Sequence, residues 1–354
     1  MSDFKINSIA NKNGDFGPVI AGVSTVNSTG CMTLPRGSTE RRGPRSRGIF
    51  GGGTVDPANL NLMDFINIQS DGNAVDFGDL TSTRGRPSGV ANAIRGFFVG
   101  GTVPTSPNYT NAIEYITMSS LGNSEDFADV NTLVWQQTGG ANNTRAVIGG
   151  GYGPSPLNVN SNVIDTFTLA TLGVNASDFG DLLYATREHS GTASPTRVVW
   201  FGGRGDTGVS DAQNTIQFIT IATTGNSVSF GDLPIDSHAG NASSNGIKGF
   251  HSGGASSSPF SGTSIFTVTM STEGEATEYD DLVKNPGYLP QLGTVANSNK
   301  AIVAGGVGTG GEGELNNIQS FSMATTGQSA DFGDLVTARY GPGGVSDSHG
   351  GVTE

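Results

Sequence analysis

The residues of this chain able to do chemistry are few: four histidines, one cysteine and a short acidic marker that recurs along the sequence. Zinc needs three or four converging ligands. His189, His238, His251 and His349 fall at different registers of the repeated segments, so each is expected to pack in a strand or turn. Cys31 stands alone, which excludes an internal disulfide and a cysteine-rich metal site. The marker carboxylates Asp79, Asp129, Asp181, Asp232, Asp281 and Asp334 return in cassette after cassette. A catalytic acid pair occurs at one place, where two environments split its pKa values. A carboxylate repeated around a molecule instead implies a structural role, accepting backbone hydrogen bonds where a strand ends. Calcium would need denser oxygen-ligand spacing than these segments offer. No Ser-His-Asp arrangement, phosphate-binding glycine loop or HExxH pattern is present. Arg204-Gly205-Asp206 reads as a loop turn, and Asn108-Tyr109-Thr110 and Asn142-Asn143-Thr144 fit a glycosylation pattern that is common by chance. No catalytic residue, metal site or cofactor is therefore expected, and the chain does not read as an enzyme.

The elements that hold these residues are marked out by the repeat. It reads Asp76-Phe77-Gly78-Asp79-Leu80, and its aromatic position returns at Phe127, Phe179, Phe230, Tyr279 and Phe332, 49 to 53 residues apart. A period near 50 residues points to a ring of repeated sheets rather than to two unrelated domains. Each cassette opens with an apolar run ending in paired glycines, as in Gly48-Ile49-Phe50-Gly51-Gly52. Such glycines suit the crowded middle of a ring, where backbones approach closely. An alternating strand such as Ala112-Ile113-Glu114-Tyr115-Ile116-Thr117-Met118 follows, then a tight Gly-Asn turn, then the marker on an outer strand. A fourth, glycine-rich strand leads into the next cassette. The first cassette lacks that strand before Gly48, and residues 340–346 are left over to supply it. The reading is an all-β, six-bladed propeller over 48–354, closed by the C-terminal strand, with an extended N-terminal arm over 1–47. Seven blades is the alternative, because Asp15-Phe16-Gly17 resembles a marker remnant 61 residues before Phe77.

Composition agrees with many short strands. Only 34% of residues are hydrophobic and 14% charged, while glycine contributes 55 residues; the apolar residues come in short clusters bounded by Gly, Asn, Ser and Thr. The net charge of −13 is uneven. Residues 1–47 carry seven basic groups against three acidic ones, which leaves −17 on the rest. An acidic body lacks the basic footprint of nucleic-acid binding. No stretch approaches the ~20 apolar residues of a bilayer span, and Met1-Ser2-Asp3-Phe4-Lys5 begins no signal peptide. A soluble chain made in a cytoplasm, without membrane insertion, is expected.

The Gly-Gly strand ends and aromatic outer strands over 48–354 resemble kelch repeats, with Phe or Tyr where those repeats carry Trp. Kelch-like propellers include a copper radical oxidase, whose site needs two His, two Tyr and a Tyr-linked Cys; Cys31 lies outside any blade, so that reading fails. More narrowly, the Asp-Phe-Gly-Asp-Leu markers, the opening Gly17-Pro18-Val19-Ile20-Ala21-Gly22-Val23-Ser24-Thr25, and Met32-Thr33-Leu34-Pro35-Arg36-Gly37 with its arginine-rich continuation resemble kelch-like structural proteins of marine tailed bacteriophages, cyanophages included. The resemblance covers essentially the whole chain. It implies a virion component, assembled in the host cytoplasm, whose partners are other virion proteins: neighbouring copies, or head or tail proteins. The arm residues Val19, Ile20, Val23, Met32 and Leu34, with Arg41, Arg42 and Arg45, are the expected anchor, adding a strand to a neighbour's sheet. The variable loops 102–111, 152–162, 204–214, 255–263 and 307–316 connect equivalent strands and should share one face. On them Asn108, Tyr109, Asn158, Asp206, Asp211, Phe260 and Glu314 are the candidate contacts. The alternative function is a receptor-binding tail fibre or spike module recognising host surface glycans.

Overall fold

The computed structural model describes residues 19–20, 24–26, 32–33 and 46–352, apart from 154–157, 206–211, 257–261, 285–292 and 309–310. The chain divides into two compact units, Met1–Arg45 and Ser46–Glu354. The boundary falls two residues before the expected one, because Arg47 opens a blade strand, Arg47–Gly51, instead of closing the arm. In the first unit, Val19–Ile20, Ser24–Val26 and Met32–Thr33 pair with one another as an antiparallel meander. The arm is thus partly folded back on itself rather than wholly extended, and Ser24–Val26 has a partner on each side.

The second unit is a six-bladed β-propeller. Blade 2 shows the plan: Ser88–Ala91 at the axis, then Arg95–Val99, Ala112–Thr117 and Glu125–Asp129 outward, all antiparallel. The inner strands of blades 3 to 6 are Thr138–Ala141, Ser190–Ala193, Asn241–Ser244 and Gly293–Ala296. Blade 1 is closed by the far end of the chain: Gly343–Ser346 pairs with Arg47–Gly51, in the register Gly343↔Gly51 to Ser346↔Gly48. Leu62–Asn67 and Val75–Asp79 complete that sheet. Six sheets make the ring, five of them four-stranded and that of blade 4 extended by a fifth strand, Ala255–Ser256, so the seven-blade alternative falls; Asp15-Phe16-Gly17 lies outside the described residues.

One glycine expectation is corrected. The paired glycines end the second strand, not the innermost one, and turn the chain away with φ 68° at Gly52 and 106° at Gly53. The axis is crowded instead by the fourth, glycine-rich strand. A Cβ on Gly89 of blade 2 would strike the carbonyl of Gly344 in blade 1, so only glycine lets the inner strands approach this closely.

The marker is a β-bulge. In blade 1 Met63 pairs with Gly78 and Asp64 with Asp76, which leaves Phe77 as the extra residue; the same shift recurs in all six blades. The bulge does two things. It turns the aromatic ring inward, where Phe77, Phe127, Phe179, Phe230, Tyr279 and Phe332 are all buried. It also frees the Phe77 carbonyl from its own sheet, and that carbonyl accepts the Gly122 N–H of the next blade's turn at 2.9 Å. Two bonds complete the joint: Ser124 N–H to Asp79 O, and Asp79 N–H to Asn123 Oδ1 at 3.0 Å. The last junction, blade 6 to blade 1, repeats it with Gly72, Asn73 and Ala74 on Phe332 and Asp334.

The marker aspartates therefore join blades through their backbone, which corrects the expectation that their carboxylates accept backbone bonds. Asp79, Asp129, Asp181, Asp232, Asp281 and Asp334 are half-buried along the open outer edges. Charge on an edge strand deters pairing with another sheet, which accounts for a carboxylate on every blade. The core lies between blades: six apolar clusters fill the six interfaces, for example Ile49, Met63, Phe77, Leu80, Phe98 and Ile116 between blades 1 and 2.

Candidate functional site

In blades 1, 2, 3 and 6 the residue after the marker's closing Leu or Val finds an acceptor for its N–H on the third strand of the next blade, while Val283 of blade 5 donates to Ser329 Oγ at 2.8 Å. Thr81 N–H donates to Glu114 Oε2 (2.9 Å), Asn131 to Asp165 Oδ2 (3.1 Å), Leu183 to Gln217 Oε1 (2.8 Å) and Val336 to Asp64 Oδ2 (3.2 Å). In the blade 4 linker the residue is Pro234, which has no N–H, and the equivalent acceptor position holds Phe266. Arg84 pairs with Glu114, and Arg339 with Asp64 at 3.1 Å, all four essentially without solvent. These latches fix the linkers that run back to the axis.

Six residues beyond the closing Leu or Val of blades 1 to 4 and 6, the linkers reach the channel mouth on the face that also carries the variable loops. There Arg86, Gln136, Glu188, Ala239 and Gly341 hold φ of 55°, 60°, 57°, 63° and 66°. A left-handed residue that is not glycine is uncommon. Four at equivalent positions show that the ring geometry, not local preference, sets the backbone at the mouth. Each sits directly before a cavity-lining inner strand; the axial cavity beneath them, about 60 Å³, is lined by Pro87–Gly89, Thr138, Ser190, Asn241, Thr294 and Pro342.

Two side-chain groups occupy this rim. In the first, Tyr109 stacks on Trp135 (6.0 Å, 17° between planes), Arg86 lies 4.9 Å from the Trp135 ring, and on its other side 5.2 Å from Tyr340. The four planar groups come from blades and linkers on both sides of the closing junction. Burial pulls the Arg86 guanidinium below its ordinary pKa, while Tyr340 and Glu188 draw it back up. In the second group, Glu188 takes a hydrogen bond from Gln136 Nε2 (3.3 Å) and lies 3.9 Å from Arg187, 4.0 Å from Arg204 and 3.8 Å from His238. Arg187 also covers the Tyr152 ring at 4.5 Å and donates to Asn160 Oδ1 at 2.7 Å. Burial lowers the His238 pKa, with Glu188 opposing and the two arginines adding to the fall. Among the described residues the rim therefore gathers Arg86, Arg187 and Arg204 around the Glu188 carboxylate, in a chain whose net charge is strongly negative.

Of the candidate loop contacts, Tyr109 enters the stack. Asn108 is exposed at φ 70° and Asn158 at φ 43°. Glu314 Oε1 accepts the Asp56 N–H at 3.0 Å, joining the loops of blades 6 and 1. Asp206, Asp211 and Phe260 lie outside the described residues, as do Val23, Leu34, Arg41, Arg42 and Arg45; Val19, Ile20 and Met32 sit in the meander strands. The histidines do not converge. His189 Nε2 donates to Gly149 O at 3.0 Å; His251 is held between Ser190 Oγ (2.8 Å) and Ser237 Oγ (2.9 Å), and His349 bonds Ala91 O at 2.6 Å. Among the described residues no three His, Cys, Asp or Glu side chains gather as a metal site, and no helix is long and apolar enough to cross a membrane.

Sequence reasoning missed Arg86, Trp135, Gln136 and Glu188, although a constant offset of six residues from each closing Leu or Val would have found the mouth. It also missed a basic residue that opens every second strand: Arg47, Arg95, Arg145, Arg197, Lys248 and Lys300. On the opposite, turn face the four arginines reach to the following blade, as Arg47 Nη1 does to Met118 O at 2.8 Å and Arg145 Nη1 to Ile221 O at 2.8 Å. The chain matches no known family model and no curated protein.

Proposed function

We propose that this protein is a binding and assembly module of a tailed-bacteriophage particle, not a catalyst, and that it engages its partner through the loop face around the channel mouth. The observation that carries the reading is the rim: a Tyr109–Trp135–Arg86–Tyr340 stack beside the Arg187–Glu188–Arg204 cluster, held on a backbone that the ring itself constrains. Trp, Tyr and Arg are the residues that most often dominate binding energy at interfaces, and a rigid scaffold lowers the ordering cost of recognition. The particle assignment rests on the resemblance of the repeats and the opening segment to phage structural proteins. The unit Met1–Arg45, with its basic excess, is proposed as the anchor to a neighbouring virion protein. The flat Tyr109–Trp135 pair favours one second reading, docking of a host surface glycan on its aromatic face.

The deciding experiment is electron microscopy of purified particles labelled with antibody raised against residues 48–354. Label at regular sites on the head or tail wall supports the assembly role. Label confined to fibre tips moves the protein to host recognition, and particles without label overturn the virion reading altogether.

A further inference from the structure

We propose that residues Asp347–Val352 are a clasp that crosses the axis on the turn face and locks the ring after the closing strand has paired. The closing strand itself is short, the four residues Gly343–Ser346, and a strand of that length holds few ladder bonds. The chain beyond it adds bonds to several blades. Asp347 extends blade 1, its Oδ1 accepting the Arg47 N–H at 3.0 Å and its own N–H reaching Arg47 O at 3.3 Å. Ser348 Oγ approaches Ala296 O of blade 6, to which Ser346 Oγ, of the last residue of the closing strand, already donates at 2.6 Å. His349 Nε2 donates to Ala91 O of blade 2 at 2.6 Å, and Gly350 N–H donates to Ser244 O of blade 5 at 2.8 Å. Blades 2 and 5 stand opposite each other in a six-membered ring, so two consecutive residues span its centre.

The residue types fit this path. The Gly351 N–H donates to His349 Nδ1 at 3.0 Å, which leaves the proton on Nε2 and aims it at Ala91. A Cβ on Gly350 would collide with Gly246 and Ser244, and one on Gly351 with the Ala141 carbonyl of blade 3. Glycine at both positions lets the backbone lie flat across the inner strand ends. His349 also lines the axial cavity on this side, so the clasp contributes to the cavity wall at the turn face.

The test uses the full chain carrying Gly350→Val and Gly351→Val, which leaves the closing strand intact, beside His349→Ala. Unfolding in denaturant is followed by stopped-flow, and hydrogen exchange is read at Asp347, Gly350 and Val352. The valine variant is expected to unfold about a hundredfold faster, the change that follows from losing several buried hydrogen bonds formed late in folding. His349→Ala is expected to unfold about tenfold faster through the loss of one such bond. Both should lose protection at Gly350. Wild-type unfolding rates and wild-type protection in His349→Ala overturn the proposal, whether or not the valine variant reaches the folded ring.

Discussion

Asp64 and Arg339 are both fully removed from water, 3.1 Å apart, and Asp64 also accepts the Val336 N–H at 3.2 Å. Burial raises the carboxyl pKa and lowers that of the guanidinium, while each partner pulls the other back toward its charged form. Gln217 occupies the same place in blade 4 and accepts the equivalent N–H, that of Leu183, at 2.8 Å, while Gln319 in blade 6 accepts the N–H one residue further on, that of Lys284, at 2.8 Å. An uncharged acceptor is therefore enough for the latch. Arg339→Met is expected to cost about 3–5 kcal/mol, because it strands a buried carboxylate. The pair Arg339→Met with Asp64→Asn should recover most of that loss, since Asn keeps an acceptor for Val336 and removes the charge. Urea denaturation of both variants checks this; a double variant no more stable than the single one would show that the ion pair, not the acceptor, holds the linker.

Among the elements, the bulged outer strand decides how one blade meets the next. Gly78 sits at φ 143°, and a Cβ there would lie 2.5 Å from Gly122 O in the neighbouring turn. Ala128 fills the same position in blade 2, where the turn that meets it, around Gly173-Val174-Asn175, is one residue longer than the others. Gly78→Ala should thus destabilise by about 1–3 kcal/mol, whereas Ala128→Gly should change stability by no more than about 1 kcal/mol; thermal unfolding separates the two. The marker's spacing made the blade count and the closing strand legible in the sequence, because a repeat with a constant period and a leftover strand allow few arrangements. The bulge was not legible, since Asp-Phe-Gly-Asp keeps the alternation of an ordinary strand and conceals the extra residue. The mouth was legible only as a constant offset from the marker: Arg86, Gln136 and Glu188 lie in linkers without apolar periodicity, and only the ring makes them neighbours. Among the described candidate loop residues Tyr109 alone belongs to the aromatic stack, and its partner Trp135 arrives from the linker beyond the marker, 26 residues further along the chain.

For the molecule as a whole, acid sensitivity follows from histidines sealed between blades. Burial pushes His189 and His251 down to about 4 from 6.5. Below pH 6.5 the unfolded chain takes up protons that the folded ring refuses, so stability falls as pH drops from 6.5 toward 4, by about 3 kcal/mol for each histidine. Asp64 and Asp165, whose pKa values burial raises, work in the opposite direction and return some stability near the acidic end. Urea midpoints measured from pH 7 to pH 4 should decline, and His189→Gln together with His251→Gln should flatten the decline; an unchanged slope would place the sensitivity elsewhere. The closing pair also sets a clock on synthesis. Arg47 and its partner Asp347 are 300 residues apart in the chain, and at about 5–20 residues per second the ribosome needs about 15–60 s to deliver the second after the first. Throughout that interval the strand Arg47–Gly51 has a bare inner edge on the nascent chain, while blades 2 to 5 can already zip in order. The longest exposure to wrong partners during the protein's birth falls on its first blade.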